Sequence, residues 1–542
     1  MPLSPLLFAL ALSGASHAQT APADDDLKFT LDGYYRVRLH HYNGLFDPDA
    51  NWPNEPGAGR YTEQRLRLQP TVDYQGRAKF TMMADVFDGT LTGDNESRAT
   101  TALFAEDPTN TSIFGDPGSM IAIKRAWMQF STPLGQVRLG RQPSNWGMGL
   151  LANDGDGFKN TFGEAYGGAT FDRFLFVTKP ASVVQGIRKK DDPGIPLYFI
   201  FAIDRLVEDP LIQYYGYKCD PDTTEDDPRC GPTDDHSYTE PRDANYRPDN
   251  WWTENDDDVV EFVYGLIYRG ESLDWGAHKS DFTLGFYSVN RKQIETASNV
   301  WILDGYTKLD YRKLYVESEA VTIRGHSSAI VLPGAVAEGS DDPLYKEPRI
   351  WSAVGRVGYQ SQPFAATWET GFASGDDNVA DERFSGRAIT GEYNVGLILY
   401  DEVLERATRY RWTDAANGLW SGGGVYNSVY VFPNVRYTPI KNWDLHAAFL
   451  MAWPHKADGA IILRGPEAGD DAQVQSRALG WEADLALKST WHDHILFSLE
   501  GGFAKVTDRI PYEDLGIAHF TLGGLDVPGG VYTVQTRLAY EF

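Results

Sequence analysis

Apolar and polar residues alternate with a period of two along most of this chain, the spacing that sends successive side chains to opposite faces of an extended strand. In the first such run Phe29, Leu31, Gly33, Tyr35, Val37 and Leu39 share one face, and Thr30, Asp32, Tyr34, Arg36, Arg38 and His40 the other. In the second, Leu66, Leu68, Pro70, Val72 and Tyr74 oppose Arg65, Arg67, Gln69, Thr71 and Asp73. Gln75-Gly76 then turns tightly into Ala78, Phe80, Met82, Ala84 and Val86. Pro70 is the blemish, because it lacks the N–H that a ladder uses. Carried to the end, the rhythm predicts strands at 28–42, 60–74, 77–87, 120–131, 136–142, 166–178, 196–206, 259–269, 280–290, 299–308, 313–324, 349–359, 364–374, 425–437, 444–453, 478–490, 494–504 and 530–542. One helix interrupts it: Leu397, Tyr400, Leu404 and Ala407 recur at helical spacing, so Tyr393 to Tyr410 is predicted as a short amphipathic helix.

The connections test this independently. Short ones fall at 75–76, 132–135, 309–312, 360–363, 438–443 and 491–493, and long ones at 43–59, 88–119, 143–165, 207–258, 325–348, 375–424, 454–477 and 505–529. About eighteen strands (16–18) with alternating short turns and long loops predict an all-β, transmembrane, antiparallel up-and-down β-barrel, short turns in the periplasm and long loops outside. Two connections break the rhythm: 179–195 is long for a turn and 291–298 short for a loop. A soluble sandwich gives no reason for such alternation.

Composition agrees. No apolar stretch beyond residue 18 is long enough for a transmembrane helix. Mean hydropathy is −0.40 although aromatics reach 13%, as expected when lipid-facing residues alternate with wet ones and aromatic girdles mark both interfaces. The run Met1-Pro2-Leu3-Ser4-Pro5-Leu6-Leu7-Phe8-Ala9-Leu10-Ala11-Leu12 followed by Ser16-His17-Ala18 predicts a signal peptide over 1–18, leaving 19–542 as a single barrel domain. Strand alternation already begins at Phe29, which leaves no room for an N-terminal plug domain. At the other end Leu538, Tyr540 and Phe542 alternate with polar residues and finish on an aromatic, a pattern that resembles the assembly signal read by the barrel-assembly machinery.

Strand parity sorts the charges. Arg36, Arg38, Arg65, Arg67, Lys79, Arg125 and Arg138 point inward from the first five strands, and Glu317, Glu319, Glu369, Glu482, Asp484 and Glu500 from later ones. On the lipid side a basic residue costs about 2–4 kcal/mol at the midplane, so a wet lumen is their place. Two readings stay open. The opposed arcs set a transverse field across a pore, or the charges pair with one another to hold the wall together. Arg356, Arg436 and Lys488 sit inward on the acidic side, and Arg141 falls on the lipid side with Leu139. Arg141 then either snorkels to the interface or is turned inward by a bulge at Gly140. The predicted helix likewise has two placements, inside the lumen as a constriction or packed on the rim.

Other chemistry is sparse. A net charge of −27 argues against nucleic acid as a partner. From Val207 to Asp257 there are fifteen acidic residues against four basic ones, a solvated acidic loop that carries both cysteines. In an exported chain Cys219 and Cys230 are expected to form a disulfide, and with no histidine partner nearby they make a poor metal site. Asp256-Asp257-Asp258 and Ser374-Gly375-Asp376-Asp377-Asn378 carry calcium-type ligands without the spacing of a known calcium loop, and solvated acid is the simpler reading. No metal or cofactor is therefore expected. Neither an HExxH helix nor a GxSxG elbow is present, so catalysis is not expected.

Gly135-Gln136-Val137-Arg138-Leu139-Gly140-Arg141-Gln142 resembles a strand common in porins. Ser144-Asn145-Trp146-Gly147-Met148-Gly149-Leu150-Leu151, Phe372-Ala373-Ser374-Gly375-Asp376 and Tyr393-Asn394-Val395-Gly396-Leu397-Ile398 resemble motifs of a family of large outer-membrane barrels loosely similar to the alginate-export porins. The resemblance implies passive transport of small polar or charged solutes, or of oligosaccharides, through a barrel bathed in outer-membrane lipid. The rival expectation is an adhesin or structural barrel with a blocked lumen, whose acidic loops bind partners.

Overall fold

The structure, a computed structural model, describes residues 27–45, 58–92, 121–206, 259–328, 346–377, 382–411, 421–456 and 476–542, apart from a few single or paired positions within them. The predicted signal peptide, Cys219, Cys230, Asp256-Asp257-Asp258 and Asn378 lie outside the described residues.

Eighteen strands follow one another around a closed antiparallel barrel. The first half comprises β1 (Leu27–Asn43), β2 (Ala58–Tyr74), β3 (Ala78–Thr92), β4 (Ile121–Thr132), β5 (Gly135–Pro143), β6 (Thr170–Thr178), β7 (Leu197–Leu206), β8 (Val260–Trp275) and β9 (His278–Gln293). The second half comprises β10 (Ser298–Tyr311), β11 (Leu314–His326), β12 (Glu347–Gln360), β13 (Phe364–Ala373), β14 (Ser428–Ile440), β15 (Trp443–Pro454), β16 (Gly480–Trp491), β17 (Ile495–Val506) and β18 (Gly530–Glu541). All eighteen coincide with segments predicted from alternation. β1 pairs with β18 from Tyr34 opposite Glu541 to Asn43 opposite Tyr532, which removes both sheet edges. The seam is finished by Gly33 and Phe542, whose backbones exchange N–H···O=C bonds of 3.1 and 3.0 Å. Gly33 has to be small there, because a Cβ would lie 3.0 Å from the Phe542 ring and clash with the Arg67 carbonyl. Around Pro70 the β2–β3 register runs from Leu68 opposite Ala84 to Thr71 opposite Thr81, with no pair at Pro70 itself.

The outer face is apolar. Leu284 and Phe286 on β9 are 53% and 50% exposed, and Leu31, Val357, Val435 and Leu485 continue the belt around the barrel. In water such a surface would be a liability; in a bilayer it is the required solvent match. Aromatics gather at its two ends. Near the short turns Phe364 stacks on Tyr437 at 4.6 Å and Trp443 meets Trp491 at 6.1 Å. Near the long connections Trp481 lies between Phe449 and Phe503, and Arg324 sits 5.1 Å over Trp351. Arg141 stays on the outer face without a break in the β4–β5 register and makes a two-pronged 2.9 Å pair with Asp172 of β6.

Both rhythm-breaking connections are as the sequence had them. The 179–196 connection contains an exposed helix, α1 (Pro180–Ile187), and β9 passes to β10 through only four residues. No helix of the described residues is long and apolar enough to cross a membrane.

Candidate functional site

The lumen is not an empty bore. Two of the long connections, 144–169 between β5 and β6 and 374–427 between β13 and β14, enter it and bring their own apolar core inside the barrel. The first is fastened across the lumen at several points. Trp146 stacks on Tyr287 of β9 at 4.9 Å and donates its indole N–H to Asp304 of β10 at 2.9 Å. The backbone N–H groups of Met148 and Leu150 point at the Glu319 carboxylate of β11. Gly147 takes φ +57° to make this approach, and a Cβ there would run into Glu319. Farther along, Glu164 bonds Arg36 of β1 and, at 3.2 Å, Arg537 of β18. Gly163 N–H donates to Glu500 of β17 at 2.9 Å, and Lys488 of β16 donates to the Asn160 carbonyl at 3.1 Å. Arg125 of β4 ties the loop's return, holding the Asp154 carbonyl at 2.7 Å and the Thr170 hydroxyl at 3.0 Å.

Glu164 lies fully buried, which by itself would raise its pKa, but the facing Arg36, Arg38 and Arg537 outweigh burial and hold it below the ordinary 4.5.

The second loop contains α2, a short helix that opens as a π-turn over Leu399–Leu404 and continues in α form to Arg411. It starts several residues later than the predicted Tyr393. Leu397, Leu399, Tyr400 and Leu404 are buried, so of its two placements the structure shows the one inside the barrel. Its N-terminus is held by a single wall carboxylate: Glu482 of β16 accepts from Leu397, Ile398 and Leu399 N–H, the last two at 2.9 and 2.7 Å. A carboxylate at a helix start satisfies orphan donors and meets the positive end of the helix dipole. The loops also hold each other. Gly167 N–H donates to Glu392 at 2.8 Å, and Thr390 N–H to the Leu150 carbonyl at 3.0 Å.

The sequence-predicted charges occupy this interior mostly as pairs. Arg67 makes a two-pronged contact with Asp85 (2.7 and 2.9 Å), and Arg65 with Asp88 (2.8 and 2.7 Å). Arg38 reaches Gln535 at 2.5 Å, and Lys79 meets Asp73 at 2.9 Å near the β2–β3 turn. Arg138 bonds Gln129 at 2.7 Å. On the other arc Glu369 bonds Arg356 (2.5 Å) and Tyr430 (2.6 Å), while Glu317 accepts from Tyr306 at 2.6 Å and from Tyr315. Asp484 is buried next to Glu482 on the same face of β16. In the second loop Asp376 accepts from Ser385 N–H at 2.7 Å and Asp377 pairs with Lys456 at 3.0 Å.

Glu164, Asp85, Asp304 and Arg537 were missed by the sequence reading. Asp85, Asp304 and Arg537 follow inward strand parity, so the same rule reaches them. Glu164 sits in a connection, where alternation carries no information. The signal there is the number of large apolar residues, Trp146, Met148, Leu150, Leu151, Phe158 and Phe162, in a segment that a surface loop would keep polar.

Residues 6–192 match the family model described as Gram-negative porin. No curated protein matches the chain in sequence. Solved structures similar to it include three proteins of Pseudomonas aeruginosa. OccK9 (OpdG) gives a TM-score of 0.46 at 10% identity over 94% of this chain and 98% of that one. OccK2 (OpdF), solved in complex with glucuronate, gives 0.44 at 9% over 95% and 96%. The outer membrane protein opdK gives 0.41 at 8% over 95% and 99%. The chain is a transmembrane β-barrel of the bacterial outer membrane.

Proposed function

We propose that this porin-like barrel is a passive channel for small polar or charged solutes, including short oligosaccharides, with its bore set by the two inserted loops. One observation carries the reading: residues 144–169 span the lumen and are pinned at opposite walls by charged groups, Glu319 and Asp304 on one side, Arg36, Arg537 and Glu500 on the other. Buried ion pairs are poor stabilisers compared with apolar filling. An interior kept charged is better suited to carrying water and ions past it. On this reading Arg36, Arg38, Arg65, Arg67, Lys79, Arg125, Arg138, Glu317, Glu319, Glu369, Glu482, Asp484 and Glu500 line the pathway or hold the loops that narrow it. Outer-membrane lipid surrounds the belt, and the barrel-assembly machinery reads Leu538, Tyr540 and Phe542.

The burial of α2 favours a second reading, a barrel whose lumen is closed at rest. Conductance in planar bilayers separates the two. A freely open channel shows steps in the parent protein. A gated one shows them only after deletion of residues 393–410. A barrel that stays silent in both forms, while still folded, refutes transport.

A further inference from the structure

One sector of the lumen departs from the rule that a barrel interior is polar. Inward positions on β6 to β8 carry Leu175, Val177, Ile200, Val263 and Ile267, and they surround a cavity of about 320 Å³. That is the lower end of the size range of small-molecule sites. Trp146 forms its roof, held by the Asp304 bond and stacked on Tyr287. Gly285 permits this, since a Cβ there would lie 2.9 Å from the indole. Tyr306 adds a further ring to the lining.

The charges at the two ends of the cavity are already matched. Arg173 makes a two-pronged pair with Asp204, at 2.6 and 2.5 Å, near the roof. Arg269 pairs with Glu271 at 3.4 Å at the other end, where both side chains are exposed. This lower end also includes Tyr198 and Thr283, close to the short-turn side of the barrel, which turns it toward the periplasm. A charged guest would have no spare counter-charge, and a polyol would leave its hydroxyls facing aliphatic side chains at a desolvation cost. A flat apolar guest satisfies both the aliphatic walls and the aromatic roof.

We propose that this cavity is a binding site for a neutral, ring-sized apolar solute entering from the periplasmic side. The site is separate from the charged pathway of the proposed channel. It requires access from the periplasm and not that the pore conducts.

The test is equilibrium binding to the full-length barrel in lipid nanodiscs, using 2-naphthol, its charged analogue 2-naphthoate, and glucose. Saturable 1:1 binding of 2-naphthol is expected, at least tenfold tighter than 2-naphthoate, with none for glucose. Val263→Arg, which places a charge in the cavity, and Ile200→Trp, which fills it, should each weaken 2-naphthol at least tenfold. Leu284→Ala, on the lipid face, should leave it unchanged. Heat-modifiable gel mobility establishes that each variant is folded. Uptake no greater than in empty nanodiscs, affinity unaltered in both cavity variants, or tighter binding of 2-naphthoate would overturn the proposal. Bilayer recordings silent in both the parent and the 393–410 deletion, with intact naphthol binding, would remove the channel and leave this site standing; conductance without naphthol binding would do the opposite.

Discussion

Glu164 shows how one side chain placed in a connection controls a large structure. It is buried between Arg36 and Arg537, and removing a partner from a buried pair costs about 3–5 kcal/mol, because the charges left behind stay desolvated. Glu164→Ala should therefore release the 144–169 loop from β1 and β18 without opening the strand ladder. The expected outcome is a new proteolytic cut within the loop of an otherwise heat-stable barrel, together with larger or noisier conductance. An uncut loop would mean that the Trp146 and Glu319 contacts hold it alone. The pH dependence has a defined sign. A carboxyl depressed in the docked state contributes stability that is fully present above its free value of 4.5 and is lost as pH falls through the lower docked value. The contribution of Glu164 to loop docking should be constant from neutral pH down to about 5 and should fall away only in stronger acid. Bilayer recordings or proteolysis across that range check it, and Glu164→Gln should flatten the acid-side change.

At the scale of elements, α2 depends on Glu482 for its first turn. Three backbone donors meet one carboxylate, and each charge-assisted bond is worth about 1.5–3 kcal/mol. Glu482→Ala should loosen residues 393–411 selectively, visible as faster hydrogen exchange there than in the strands; unchanged exchange would make Glu482 incidental to the helix. Strands and loops differed in how far the sequence revealed them. The eighteen strands were legible because one physical demand, lipid on one side and water on the other, is written into every second residue. Strand parity placed Arg36, Arg67, Glu319 and Glu482 in the interior for the same reason. Their partners were harder to see. Glu164 reaches Arg36 and Arg537 across the barrel, and the loop that carries it has no period linking it to either wall. The helix was legible as a helix from Leu397, Tyr400 and Leu404. Its position was not, because an apolar face needs cover without specifying whether a rim or a lumen provides it.

The whole molecule is a shell with its solvent preference turned outward, and its stability should answer to the bilayer. Leu284→Arg at the exposed belt should cost about 2–4 kcal/mol if it lies near the midplane, measured by refolding into vesicles from denaturant, whereas a water-soluble sheet would tolerate the change. The detergent-solubilised protein should show a β-rich circular dichroism spectrum and run faster unheated than boiled. The seam has a further consequence, for the timing of manufacture. Gly33 and Phe542 clasp each other across 509 residues of sequence, and β1 and β18 pair beside them, so the ring cannot shut until β18 has arrived. Distance along the chain is itself cheap, since doubling a loop adds only about 0.6 kcal/mol of closure entropy. The penalty falls on incompleteness. A shortened chain leaves β1 facing solvent or lipid with a row of unanswered backbone groups, an edge open to stray pairing. Loss of Phe542 alone removes both bonds to Gly33 and should lower the yield of heat-modifiable protein, and loss of β18 should abolish it. The seam thus works as an inspection step: only a polypeptide that includes β18 can hide its margins.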